Sequence, residues 1–166
     1  MNNRKVYISG DIVPEVDAKI SIFDSAVLLG DTVTESTRTF NFKPFKLDEH
    51  LERLYKSFKL TRIDPQMTIE EMKKVSLELL EINKDNYKAN EDCWLVHNIS
   101  RGHSITGGNP ALQVSKPTVM IYTQPMNLVS WAPFYSKGCH AVTPPTRMVP
   151  AQSLDARIKN RSRLFY

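Results

Sequence analysis

The sequence predicts an α+β fold of antiparallel strands with two helices, followed by a final segment that reads as a loop running into something unfinished. Three observations predict it. Short β-rich runs lie at both ends of the first 126 residues, and two segments with helical periodicity lie together between them. No strand–helix–strand alternation occurs of the kind that builds a doubly wound sheet.

Taken in order, "KVYISGDIV" (5–13) reads as two short strands around Ser9-Gly10-Asp11, with Gly10 supplying the positive φ of a tight hairpin. A third strand is expected in "AKISIF" (18–23), where Ile20 and Ile22 alternate with Lys19 and Ser21. "TVTESTRTFNFKPFKL" gives a strand, a turn over 41–44 and a short return strand. The first helix is expected to start at Asp48 as N-cap, with Leu47, Leu51, Leu54 and Phe58 on one stripe. The second starts at a capping box of Thr68 and Glu71, with Met72, Val75, Leu79 and Ile82 facing inward. After the polar loop "NKDNYKANED", the runs "CWLVHNISR" and "PTVMIYTQP" read as strands, separated by a loop containing the turn "TGGNP". The stretch around "LVSWAPF" reads as a connector rather than a core element, and "GCHAVTPP" as one more strand.

Composition narrows the function. Apolar residues at 41% and charged residues at 24% are those of a globular chain with a core. The net charge of +4 owes much to Arg147, Arg157, Lys159, Arg161 and Arg163 near the end, opposed there by Asp155. No aromatic residues interleave with that basic run and no nucleic-acid motif accompanies it, so a nucleic-acid partner is not expected. No stretch has the length and apolarity of a signal peptide or a membrane span, so no membrane partner is expected. Cys93 and Cys139 lack metal or redox spacing, and no two of the four histidines stand at helical ligand spacing. No metal is expected, and a reducing cytoplasmic setting is the default.

Two stretches carry a resemblance. The opening "VYISGDIVPEVDAKISIFDSAVLLGDTVTESTRTF" has Asp17-Ala18, Ser21, Phe23-Asp24, Gly30-Asp31, Val33 and Glu35 in order, followed by "HLERL" from His50 to Leu54. The end, "SLDARIKNRSRLFY", sets Lys159 after an Asp-containing run and before Asn160. Together these resemble the class IV (fold type IV) pyridoxal-phosphate enzymes: branched-chain, D-amino-acid and (R)-amine aminotransferases and aminodeoxychorismate lyase. Their usual patterns are "D-A-x-(I/V)-S-(V/I)-F-D", "Y-G-D-G-V-F-E", "H-x-x-R-L" and "D-P-x-(I/V)-K". The resemblance covers essentially the whole chain and implies its fold. Family members are about twice as long, so the resemblance implies a small N-terminal domain plus the start of a second, truncated domain: 1–126 for the small domain, 127–137 for a connector, and 138–166 for the beginning of the large cofactor-binding domain.

The resemblance implies pyridoxal 5'-phosphate as cofactor, with Lys159 as the Schiff-base lysine and proton shuttle. It implies that Arg53 binds the cofactor phosphate, a task its forked donors suit. An amine is the group such chemistry needs, since the neutral form is a nucleophile and the charged form a proton donor. Without the resemblance, Lys159 reads as a solvated lysine in a basic tail, and Arg53 as a surface arginine paired with Asp48, Glu49 or Glu52. Arg157 and Arg161 would then be cationic neighbours of Lys159.

Leu29, Thr34, Trp94 and Val96 fall where substrate-pocket residues of the family lie. Leu29 replaces the usual Tyr, Thr34 the usual Phe, and Val96 an Arg of many branched-chain enzymes. These changes put branched-chain activity in doubt. Arg101 and His103 stand in a different local motif from the family's carboxylate grip and receive no role, and Arg163 replaces a common Tyr. The implied reaction moves an amino group between an amino acid or amine and a 2-oxo acid, in a homodimer. Alternatives are a lyase of the same family and a folded fragment without activity of its own.

Overall fold

The computed structural model describes residues 3–88, 91–103 and 116–162. The turn expected over 106–110 and Arg163 lie outside them. One antiparallel sheet of six strands forms the frame, in spatial order β2-β1-β6-β5-β3-β4. Its strands are β1 (Lys5–Ile8), β2 (Asp11–Pro14), β3 (Thr32–Phe40), β4 (Lys43–Pro44), β5 (Cys93–Ser100) and β6 (Thr118–Pro125). Between them come α1 (Ser25–Leu29), α2 (Leu47–Thr61) and α3 (Ile69–Asn83), with α4 (Leu128–Lys137) after β6. This is the expected α+β architecture.

The β1–β2 hairpin turns on Ser9 and Gly10, both at positive φ, the twist that a two-residue loop between antiparallel strands needs. The β3–β4 turn places Asn41 and Phe42 at positive φ. A phenylalanine there is strained, and its surroundings offset the strain. The Phe42 ring packs edge-on to Tyr87 at 5.2 Å, and its amide donates to Asp92 Oδ1 at 3.3 Å.

Helix α2 buries Leu47, Leu51, Leu54 and Phe58, as its spacing predicts. Its N-cap is Lys46 at φ 54°, so Asp48 sits inside the first turn instead of capping it. Arg101 donates to the carbonyls of Thr61 and Arg62 and completes the other end of the helix. Helix α3 starts at the predicted capping box of Thr68 and Glu71. Its buried face is rotated from the expected stripe: Met72, Ser76, Leu79, Leu80 and Asn83 point in, while Ile82 is exposed.

The two buried polar residues explain the rotation. Asn83 accepts from Lys5 N at 2.7 Å and donates to Lys5 O at 2.9 Å, fastening α3 to β1. Ser76 donates to Met72 O at 2.7 Å, so its contact with His97 Nε2 at 2.8 Å is a bond that His97 donates. Burial holds the His97 imidazole neutral, with its pKa down to about 4.

Two further expectations are corrected. Residues 18–23 form no strand: a short 3-10 turn, Glu15–Asp17, precedes them, and Ile22 and Phe23 are largely exposed. Both sides of β1 are already taken by β2 and β6, so the alternating isoleucines meet no open ladder there. Residues 138–145 likewise form no strand, and Val142 is 77% exposed. Within the expected connector 127–137, Leu128–Lys137 form the helix α4, capped by Asn127 accepting from Ser130 N, with Pro133 in its interior. The helix buries no residue and touches the sheet through Trp131, whose ring lies 6.3 Å from that of Trp94. Among the described residues no helix is long and apolar enough to cross a membrane.

Candidate active site

Strand parity decides what β3 presents. Val33, Glu35 and Thr37 point to the helices and are buried, and Glu35 has no exposed surface. A buried carboxylate needs partners, and two elements supply them. From α2, Arg53 Nε donates to Glu35 Oε2 and Nη2 to Oε1, each at 2.7 Å. One turn earlier, His50 Nδ1 lies 3.0 Å from Oε1. From near the end of the chain, Lys159 Nζ donates to Oε1 at 3.0 Å. The Ser36 amide adds a fourth contact to the same oxygen, at 2.9 Å.

Burial alone would raise the Glu35 pKa. The Arg53 fork, the Ser36 amide and Lys159 together outweigh it and hold the carboxyl at about 2. Glu35 in turn raises the Arg53 guanidinium above its ordinary value.

Lys159 is placed by its backbone. Thr34 N donates to Lys159 O and Arg161 N to Thr32 O, both at 2.9 Å, so residues 159–161 pair with the edge of β3. Asn160 bridges Val33, Lys159 N reaches Ser57 Oγ at 3.4 Å, and Ile158 packs against the core. Arg157 is engaged elsewhere, bonded to Asp155 at 2.6 Å.

The structure therefore brings together two of the six residues singled out from sequence, Lys159 and Arg53, on a single carboxylate. Arg53 pairs with Glu35 across the fold rather than with Asp48, Glu49 or Glu52. Thr34, Val96 and Trp94 lie on the opposite face of the sheet, in registers Thr34–Asn98, Ser36–Val96 and Arg38–Trp94. Thr34 and Val96 are buried there, and Trp94 is partly covered. Leu29 stands apart at the end of α1, 72% exposed, on a groove of about 440 Å³ shared with Asp31, Ile158 and Asn160. Arg101 is structural: it donates to Asp31 at 2.8 Å as well as to the end of α2.

Two participants received no role from sequence, Glu35 and His50. The signal was present: Glu35 shares the parity of Val33 in a strand, and an acid facing a core needs a cation from the element packed on it.

The cluster suits an anionic, aldehyde-bearing cofactor. Arg53 and Lys159 against Glu35 leave one positive charge in excess. The Arg53 side chain is 52% exposed and that of Lys159 32%. The fork to Glu35 uses Nε and Nη2 of Arg53, so Nη1 lies outside it. Among the described residues no cluster of three or more His, Cys, Asp or Glu side chains could hold a metal.

An antiparallel sheet thus carries a helix-borne arginine and a lysine docked on its edge, both on one buried carboxylate. The model of the amino-transferase class IV family matches residues 32–166, and this chain belongs to that family. It is 36% identical over 157 residues to the branched-chain-amino-acid aminotransferase candidate of Methanocaldococcus jannaschii, covering 94% of this chain and 51% of that protein. It is 32% identical over 120 residues to a D-alanine aminotransferase of Staphylococcus epidermidis, covering 72% of this chain and 41% of the relative.

Among solved structures, the branched-chain aminotransferase of Thermoproteus uzoniensis with norvaline superposes at TM-score 0.73 and 25% identity, over 95% of this chain and 51% of the other. The branched-chain amino acid aminotransferase of Escherichia coli gives TM-score 0.65 at 24% identity, over 75% and 41%, which supports the fold. The chain thus spans about half the length of the relatives it matches, or less.

Proposed function

We propose that this chain carries the lysine-bearing part of a pyridoxal-phosphate-dependent aminotransferase, one that moves an amino group between an amino acid or amine and a 2-oxo acid. Lys159 is the residue that attaches the cofactor, and Arg53 the residue that receives its phosphate. The observation that carries the reading is the sharing of Glu35 by Lys159 Nζ and Arg53. When bound, pyridoxal phosphate supplies a conjugated ring that accepts the electron pair released at the substrate Cα.

The chain's own residues do the rest. Glu35, ionised at any physiological pH, fixes the guanidinium of Arg53 through two parallel bonds and leaves Nη1 for an anion. It also accepts from Lys159 Nζ, so a proton at that nitrogen has a defined acceptor when the amine binds, releases or carries it. Ser57 Oγ and the edge of β3 hold the lysine backbone in register, which limits where Nζ can swing.

In this reading residues 1–126 are the small domain, 127–137 a linking helix, and 138–166 the beginning of the cofactor-binding domain. The large exposed side chains of Val27, Leu28 and Leu29 on α1 support a homodimeric assembly. The purified 166-residue chain is expected to show negligible transaminase turnover, and robust turnover abolished by Lys159→Ala would refute that part.

Pyridoxal phosphate titration tests the whole reading. The native chain should show a saturable shift of the cofactor's visible absorbance, lost in Lys159→Ala. In Arg53→Ala saturation should need about tenfold more cofactor, the loss of one charged hydrogen bond. An unchanged spectrum in Lys159→Ala would remove the lysine from the reading.

A further inference from the structure

Four nitrogens converge on one oxygen of Glu35. Arg53 Nη2 lies 2.7 Å from Oε1, the Ser36 amide 2.9 Å, and Lys159 Nζ and His50 Nδ1 3.0 Å each. Oε2 takes Arg53 Nε at 2.7 Å. The proposed chemistry uses Arg53 and Lys159 and leaves His50 without a task.

Proton counting fixes the imidazole. The Glu35 carboxyl, with its pKa at about 2, is ionised and only accepts. A nitrogen 3.0 Å from such an oxygen carries a hydrogen, because two lone pairs facing each other at that distance repel. The hydrogen of His50 is therefore on Nδ1, and it points at Oε1 whether or not Nε2 is protonated as well. His50 Nδ1 and Arg53 Nη2, 3.3 Å apart, are two donors meeting at one acceptor rather than a bond to each other.

The donors differ in what they tie together. Ser36 follows Glu35 in β3, so its amide belongs to the same strand and anchors the carboxylate to no other element. The Arg53 fork spans both oxygens and leaves the flank of Oε1 to other donors. From β5, His97 stands opposite Glu35 in register, but its hydrogen goes to Ser76 and its Nδ1 is bare. Among the described residues, Lys159 and His50 are the two side chains that steady Oε1 beside the fork.

Of these two, Lys159 is the one that has to leave. Attachment to an aldehyde removes both hydrogens of the neutral lysine amine, which depart with the aldehyde oxygen as water. Resting on the proposal that Lys159 attaches the cofactor, we infer that His50 is a positioning residue: the donor that holds Glu35, and through it the Arg53 fork, once Lys159 Nζ has turned from the carboxylate. While Nζ stays on Oε1, the two donors back each other up. His50 stands three residues before Arg53 on α2, so one helix holds both the flank of the carboxylate and its fork.

The first test needs no cofactor. In urea unfolding of the 166-residue chain, the double variant His50→Leu with Lys159→Met should lose more in midpoint than the two single variants together. Leucine forms helix better than histidine, so α2 itself does not suffer from the change. Nitrogen NMR of the native chain should find the hydrogen of His50 on Nδ1. Additive losses, or a bare Nδ1, overturn the inference.

The second test titrates pyridoxal phosphate. His50→Leu should need about fivefold more cofactor for half-saturation of the visible shift, as expected for one lost hydrogen bond of average strength. His50→Asn should need no more than the native chain, because its amide nitrogen stands as many bonds from Cα as Nδ1 does. Equal half-saturation in the native chain and His50→Leu overturns the inference and leaves the cofactor reading intact. No saturable shift in the native chain overturns the cofactor reading, and this inference with it.

Discussion

Arg53 grips both oxygens of Glu35, with Nε to Oε2 and Nη2 to Oε1 each at 2.7 Å. The bond joins one turn of α2 to the inward face of β3 and closes around a carboxylate with no exposed surface. Lys159, 124 residues along from Glu35, completes the set. The ion cluster thus ties the end of the described chain to its third strand, and it is stabilising only while Glu35 is ionised.

Its pH dependence follows. The Glu35 pKa is lowered from the ordinary 4.5 to about 2 in the fold. A depressed acid contributes stability above its unfolded value and loses that contribution as pH falls toward the folded one. Glu35→Gln should therefore cost about 3 kcal/mol at pH 7. Urea unfolding at pH 7 and at pH 3 checks this. The gap between native and variant should narrow at pH 3, and a constant gap would mean that the charge is not the source.

His97 acts in a higher window. Its pKa is lowered from 6.5 to about 4 because burial disfavours the imidazolium. The native fold should lose stability as pH drops from 6.5 toward 4, by about 3 kcal/mol in all. His97→Phe should remove that slope. At pH 7 it should cost about 1 kcal/mol for the bond to Ser76, which keeps its own bond to Met72. Thermal unfolding across pH 4–7 shows both effects, and an unaltered acid slope would assign it elsewhere.

The two candidate helix starts differ in their effects. Thr68 accepts from the amide of Glu71 and Glu71 reciprocates, so Thr68→Ala should cost about 1 kcal/mol and lower Tm by about 3 °C. Asp48 lies inside α2, exposed, and bonds half-buried Lys73 at 2.7 Å, so Asp48→Ala should cost under about 1 kcal/mol. Equal losses in calorimetry would contradict the placement of the N-cap at Lys46.

Helix α4 buries nothing, and its ring contact with the sheet joins Trp131 to Trp94. Trp131→Ala should leave the urea midpoint nearly unchanged while shifting the emission of Trp94 to the red. A large drop in the midpoint would show that α4 belongs to the core.

Elements whose pattern is self-contained are legible in the sequence. The Ser9-Gly10 turn, the Thr68–Glu71 box and the leucine stripe of α2 each carry their own local cause. The isoleucines of 18–23 and Val142 mislead because alternation signals a strand only where a neighbour offers a ladder, and pairing is not local. The buried face of α3 departs from its apolar stripe because Ser76 and Asn83 are buried for their hydrogen bonds to His97 and Lys5, which distance along the chain conceals. Lys159 and Arg53 receive roles from the resemblance, whereas Glu35 is one of the residues that carry it and receives none. Glu35 becomes visible once strand parity and the α2 packing are known together.

Borohydride trapping with pyridoxal phosphate, followed by peptide mass mapping, tests the central claim most directly. The account predicts saturable, selective modification at Lys159, reduced in Arg53→Ala and Glu35→Gln. Weak modification spread over the chain's many lysines would contradict it, and would mean that the Lys159–Glu35–Arg53 cluster is a structural ion network without affinity for the cofactor.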